Sequence, residues 1–186
     1  TCIVCSKGYT LEALVPPSLT APAPFDTTIA PDGSILMAGT KGKMARIKAS
    51  EAIERTGIPT GTYFECTRSG TLWYYDFSSG LLSRWSPGDD ERAVIARLPA
   101  TYSDGSIAVS PDGGTAYVGW WIRDADPDKE AAALWRYTDR AGLRKLFELP
   151  RGTGLSAVEV TPDGTVYLAT TEGIERLKRS NHRDPC

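Results

Sequence analysis

The segment TPDGTVYLAT (residues 161–170) has two near copies upstream, APDGSILMAG (residues 30–39) and SPDGGTAYVG (residues 110–119). Each copy sets a Pro-Asp-Gly word between two short apolar runs. Proline presets its own φ, aspartate bonds nearby backbone, and glycine accepts a positive φ, so the word encodes a tight turn. The flanks are β-branched and aromatic, as in IAVS before Pro111 and VYLA after Thr165, and each copy therefore reads as a β-hairpin. A hairpin written three times makes internal repetition the first property to follow along the chain.

A fourth copy emerges once the proline is not required. CTRSGTLWYY (residues 66–75) places Gly70 where the other copies have Gly33, Gly113 and Gly164. Downstream of each hairpin an arginine sits among apolar residues, in MARI (44–47), LSRW (82–85), LWRY (134–137) and IERL (174–177), which gives a third strand in each repeat. A segment closing on an aliphatic residue and proline follows three of them, at Ile58-Pro59, Leu98-Pro99 and Leu149-Pro150, and reads as a fourth strand. The missing example stands at the other end of the chain. YTLEALVP (residues 9–16) resembles LRKLFELP (residues 143–150), so the N-terminal segment is expected to supply the outer strand of the last repeat.

Equivalent glycines lie 37, 43 and 51 residues apart, with 55 from Gly164 through the chain end to Gly33. These intervals are close to the ~40–50 residues of a propeller blade. The expected fold is all-β: a small β-propeller of about four four-stranded blades, circularly closed, a form that protects sheet edges by radial repetition. The 186 residues make one domain, with blade 1 at about 26–59, blade 2 at about 60–99, blade 3 at about 105–150, and blade 4 at about 155–180 plus 9–16.

Bulk properties narrow the function. A net charge of -2 and a pI near 5.5 argue against a nucleic-acid partner, which needs a concentrated basic face. No apolar run approaches the ~18 residues of a membrane span. Four cysteines, Cys2, Cys5, Cys66 and Cys186, are an even number suited to disulfides in an oxidising compartment, so the protein is expected to be exported, periplasmic or secreted. Ring closure brings Cys186 near Cys2 and Cys5, but spacing does not choose among the three pairings. Cys2, Cys5 and Cys186 with His182, the single histidine, also form a chemically possible zinc set, a weaker reading than disulfides.

Catalytic parts are scarce. His182 lies in the polar tail SNHRDPC, and there is no phosphate loop or histidine cluster. The chain is therefore read as non-catalytic and without a cofactor, with calcium as the lesser alternative. In RDADPDKE (123–130), Asp124, Asp126 and Asp128 open like a calcium loop, but Lys129 and Trp135 occupy the positions of its glycine and glutamate, which excludes an EF-hand. The repeated arginines Arg46, Arg84, Arg136 and Arg176 read as architecture, and Trp73, Tyr74 and Tyr75 as core. Function is sought where the repeats differ. The connection between second and third strands is short at 41–43 and 78–80 and long at 123–131, and it shares a face with the blade-to-blade loops 99–105 and 150–154. The expected partner-binding residues on that face are Tyr102, Ser103, Asp104, Trp121, Arg123, Asp124, Asp126, Asp128 and Arg151.

The Pro-Asp-Gly hairpins resemble those of the broad PDG-containing propellers, including gluconolactonase-like, strictosidine-synthase-like and quinoprotein-type repeats. The lactonase-like members imply a central calcium held by acidic and amide groups; this chain offers Asp26, Glu65 and Glu159 on inner strands but no asparagine there. Four blades with terminal cysteines are similar to hemopexin-type architecture. Size, expected export and lack of catalytic parts resemble small exported propeller-like immunity proteins, which occlude the cleft of a bacterial cell-wall amidase. The resulting expectation is an exported inhibitor or immunity protein whose loops enter a protein partner, such as a secreted or cell-wall-degrading enzyme. The alternatives are a lectin-like propeller and, behind it, a calcium-dependent lactonase-like hydrolase.

Overall fold

The computed structural model describes residues 26–38, 43–48, 53–99, 105–122 and 131–177, which form fifteen strands and no helix. The first sheet contains β1 (Thr27–Ile29), β2 (Ile35–Met37), β3 (Lys43–Ile47) and β4 (Ile53–Pro59). The second contains β5 (Tyr63–Cys66), β6 (Leu72–Asp76), β7 (Leu81–Trp85) and β8 (Ala93–Arg97). The third contains β9 (Gly105–Val109), β10 (Thr115–Ile122), β11 (Ala131–Thr138) and β12 (Gly142–Glu148). The fourth contains β13 (Leu155–Val160), β14 (Val166–Thr170) and β15 (Gly173–Arg176). Every sheet is an antiparallel meander with strands in sequence order. The strand assigned to residues 9–16 lies outside the described residues, so the described part of blade 4 is three-stranded.

The hairpin turns explain why the sheets repeat. In blade 1, Gly33 N–H donates to the Ala30 carbonyl at 2.9 Å, Ala30 N–H donates to Ser34 O at 2.8 Å, and Asp32 Oδ1 accepts the Ser34 N–H at 3.0 Å. The same bonds recur around Gly113 and Gly164, and Gly33, Gly113 and Gly164 have φ of 79°, 73° and 82°, where a side chain would be strained. Blade 2 keeps the turn without the word. Gly70 has φ 82°, and Thr67 Oγ1 accepts the Thr71 N–H at 3.1 Å in the role that aspartate fills elsewhere. The three turn aspartates hold their carboxyls below the usual range, first through the Ser34, Ser110 and Thr161 hydroxyls that donate to them.

Three apolar clusters hold the blades together, one at each described interface. Leu36, Met44 and Ile58 of blade 1 meet Phe64, Leu72 and Tyr74 of blade 2. Trp73, Tyr75, Leu82 and Leu98 meet Ile107, Ala116 and Val118 of blade 3. Ala108, Trp121 and Leu134 meet Leu155, Val158 and Leu168 of blade 4. Trp73, Tyr74 and Tyr75 are all buried, because the alternation of a strand sends Tyr74 to one neighbouring blade and Trp73 and Tyr75 to the other.

Polar bonds link inner strands in two pairs, β1 and its preceding residue to β5, and β9 to β13. Asp26 Oδ2 accepts the Phe64 N–H at 2.9 Å, Thr28 Oγ1 accepts the Cys66 N–H at 3.1 Å, and Ser106 Oγ accepts the Val158 N–H at 3.0 Å. Arg84 extends over the Trp73 ring at 5.3 Å and reaches Asp139 of blade 3 at 3.4 Å, a structural use of the repeated arginine.

Candidate functional site

The face carrying the entrances of the inner strands is set by blade 3. β10 and β11 are eight residues each, against five each for β6 and β7, and their ladder ends at the pair Ile122↔Ala131. The connection 123–130 is therefore mounted on a longer two-strand stem than its blade 2 counterpart. Tyr102, Ser103, Asp104, Arg123, Asp124, Asp126 and Asp128 lie outside the described residues. Arg151 is exposed, in a turn where Thr153 N–H donates to the Pro150 carbonyl at 3.0 Å.

Trp121 has a different place from the one expected. It is 8% exposed and belongs to the apolar cluster between blades 3 and 4. A Cβ on Gly154 would stand 2.4 Å from its ring, so the missing side chain of Gly154 is what admits the indole. Trp120, one residue earlier, projects to the opposite side of the sheet, and its Nε1 donates to the Pro99 carbonyl at 3.2 Å. The tryptophan pair thus reaches both neighbouring blades, Trp120 holding Pro99 at the end of blade 2 and Trp121 lying under the turn entering blade 4. Its contribution to the face is to position loops rather than to offer an exposed aromatic anchor.

A second feature lies on the axis. Asp26, just before the inner strand of blade 1, and Glu65 and Glu159, on the inner strands of blades 2 and 4, are near enough to repel one another. Burial is the main reason the Glu65 carboxyl is pushed up to about 7, with the charges of Glu159 and Asp26 adding to it and the Thr28 hydroxyl and Cys66 N–H opposing it. Asp26 is raised chiefly by burial, against the Phe64 and Thr27 N–H groups that it accepts. Among the described residues, no three Asp, Glu, His or Cys side chains are grouped so as to hold a metal ion. Cys66 is half-buried, and burial together with the Glu65 charge pushes its thiol up to about 11, which leaves it a poor nucleophile. Cys2, Cys5 and Cys186 lie outside the described residues.

Clefts open at the opposite face, around the Pro-Asp-Gly turns; one of about 320 Å³ lies between Tyr117, Asp163, Thr165 and Leu177, and two smaller ones are mainly polar. One of about 170 Å³ opens at the axis between Glu65, Cys66, Arg68, Ser110 and Pro162. Another of about 150 Å³ is lined by Thr67, Ser69, Thr71, Arg84, Ser86 and Asp112. Both border the turn of blade 2, the one repeat without Pro-Asp-Gly. A half-buried network braces that blade: Arg92 donates to Asp76 Oδ2 at 2.6 Å, and Asp76 Oδ1 accepts the Thr62 hydroxyl at 3.0 Å. The sequence does not announce this network, which has no counterpart in the other repeats among the described residues.

No protein-family model matches the chain, and no curated protein matches it significantly in sequence. Solved structures do match it in shape. A putative 6-phosphogluconolactonase from Bacteroides uniformis is 18% identical with a TM-score of 0.59, the match covering 85% of this chain and 51% of that one. A chain of a nidogen/laminin complex is 13% identical with a TM-score of 0.62, covering 87% and 61%. A putative TolB from Agrobacterium tumefaciens is 15% identical with a TM-score of 0.57, covering 85% and 62%. The fold is a β-propeller. The likeness is one of architecture, and this chain spans about half to three-fifths of the length of these three structures. Enzymes and binding proteins both stand among the propeller's structural relatives, so the chemistry has to be argued from this chain's own residues.

Proposed function

We propose that this propeller is a non-catalytic, exported binding protein that presents loops from the β10–β11 face to a protein partner, as an inhibitor or immunity protein acting by occlusion of an active site. The observation that supports this is the eight-residue β10–β11 ladder, which ends at Ile122 and Ala131 on either side of the acidic connection 123–130, with Trp120 bonded to the Pro99 carbonyl and Trp121 packed against Gly154. Loops held on a rigid stem lose little entropy on entering a cleft. Tyr102, Arg123 and Arg151 are residue types that serve as anchors in such interfaces, and the carboxylates of Asp124, Asp126 and Asp128 suit a basic rim. Ser103 and Asp104 add hydrogen-bonding groups a few residues after Pro99, whose carbonyl Trp120 holds.

A second reading has its own observation. The hydroxyl-lined cleft of Thr67, Ser69, Thr71 and Ser86, with Arg84 and Asp112, suits a polyhydroxylated ligand and supports the carbohydrate-binding alternative. The test is affinity capture from exported proteins, run beside a variant in which residues 123–130 become a short Gly-Ser turn, with glycan-array binding in parallel. Loss of one captured enzyme in the variant, together with inhibition of that enzyme by the intact protein, is the expected result. Binding to glycans that survives the replacement overturns the protein-partner reading.

A further inference from the structure

The recurring arginine of the third strand is satisfied in blades 1 and 2 and not in blade 3. Arg46 pairs with Asp32 and Glu54, and Arg84 lies over the Trp73 ring and reaches Asp139. Arg136 stands directly opposite Tyr117, as Arg84 stands opposite Trp73, but it is half-buried and makes no ion pair or hydrogen bond among the described residues. The interface beside it is also less filled. Between blades 2 and 3 the rings of Trp73 and Tyr137 meet at 5.8 Å, and the cleft that remains is about 150 Å³. Between blades 3 and 4 the same two positions hold Tyr117 and Leu177, for Leu177 N–H donates to the Val166 carbonyl at 2.9 Å where Tyr137 pairs with Ala116. Leucine reaches less far than a phenol, and a cleft of about 320 Å³ opens there, lined by Tyr117, Asp163, Gly164, Thr165, Val166 and Leu177.

We propose that this cleft between blades 3 and 4 binds a small carboxylate with an aromatic or branched apolar body, the carboxylate paired with Arg136 and the body held among Tyr117, Val166 and Leu177. Arg84 lines the corresponding cleft between blades 2 and 3, and the shared register places Arg136 beside this one. A guanidinium presents a planar fork of donors that matches a carboxylate, and apolar walls that exclude water strengthen the pairing. The same walls favour an organic anion over an inorganic one, because the apolar body gains from leaving water. Asp163 does not oppose this: it is exposed at the rim, and its Oδ1 accepts the Thr161 hydroxyl and the Thr165 N–H of its own turn, so solvent screens its charge. The cleft volume matches the lower end of small-molecule sites, roughly 300 Å³. The site lies on the turn face, away from the β10–β11 connection, and stands independently of the protein-partner reading.

Three compounds that differ only in head group, 3-phenylpropionate, 3-phenylpropanamide and 3-phenylpropylamine, test the site by titration into the full-length protein with valine and leucine methyls followed by NMR. The propionate is expected to shift the Val166 and Leu177 methyls and to bind about 10-fold more tightly than the amide, with the amine weakest, since a hydrogen bond to a charged partner is the stronger kind. Arg136→Gln should bring the propionate down to the affinity of the amide. Leu177→Tyr places in blade 4 the residue type that Tyr137 supplies in blade 3, and it should fill the cleft and abolish the Val166 shifts for all three compounds. The head-group comparison on the unsubstituted protein stands even if a variant folds poorly. Equal binding of propionate and amide, no shift at Val166 or Leu177 at millimolar concentration, or a preference for the propionate that survives in folded Arg136→Gln overturns the proposal.

Discussion

Replacing Glu65 by glutamine should stabilise the protein at alkaline pH and leave it unchanged in acid. The Glu65 carboxyl has an ordinary value of 4.5 and is raised to about 7 in the fold, first by burial and then by Glu159 and Asp26. Below 4.5 both the folded and unfolded states hold the proton, and the group contributes nothing to the pH dependence. Between 4.5 and about 7 the unfolded chain ionises while the folded one still binds its proton, so stability falls as pH rises, and above about 7 the loss is complete. At ~1.4 kcal/mol per pH unit the full gap corresponds to ~3 kcal/mol. Solvent screening at this partly open axis and sharing of the repulsion with Asp26 and Glu159 reduce the observable part to ~1–2 kcal/mol. Glutamine keeps the shape and removes the charge, so thermal unfolding from pH 4 to 8.5 should show the variant melting ~3–6 °C above wild type at pH 8, the two curves converging near pH 4.5. A variant that melts below wild type at pH 8, or that keeps the wild-type slope between pH 5 and 7, refutes the reasoning.

Trp121→Ala removes a buried indole from the interface of blades 3 and 4 and should cost ~3–5 kcal/mol in urea unfolding; a loss under 1 kcal/mol would show that the ring is not core. Gly154→Ala tests the same contact from the opposite side, since the new Cβ would stand 2.4 Å from the ring, and it should destabilise by ~1–3 kcal/mol. Asp76→Asn leaves the Arg92 guanidinium without its carboxylate and should lower stability by ~1–3 kcal/mol, measured by the same unfolding curve. Asp32, Asp112 and Asp163 have depressed values in the fold, so the stability that their turns contribute should fade as pH drops through those lowered values; a triple Asp→Asn variant should lose that acid limb, and an unchanged limb would contradict the turn bonding.

Much of the fold was legible because the Pro-Asp-Gly word controls backbone through bonds local to a few residues, and local chemistry survives in sequence. The turn of blade 2 was readable from Gly70 and the aromatic strand after it, backed by LSRW and Leu98-Pro99 downstream, while the substitution of Thr67 for aspartate emerged only from the hydrogen bonds. The site was less legible. The period of a strand states that Trp120 and Trp121 point to opposite sides, but which side meets a neighbouring blade depends on Gly154, thirty-odd residues away. Asp26, Glu65 and Glu159 could be placed on inner strands by repeat position, yet their convergence depends on how far the blades close around the axis. The Asp76–Arg92–Thr62 network belongs to one blade, so no repetition announced it.

The central claim is that the β10–β11 face, not the opposite turn face, engages a protein partner. It is tested most directly by measuring the affinity of the captured partner for three proteins: wild type, the 123–130 replacement, and Arg68→Glu on the axial cleft of the turn face. The account predicts that the replacement abolishes binding and that Arg68→Glu retains the wild-type affinity. Full binding by the replacement, with loss in Arg68→Glu, contradicts it.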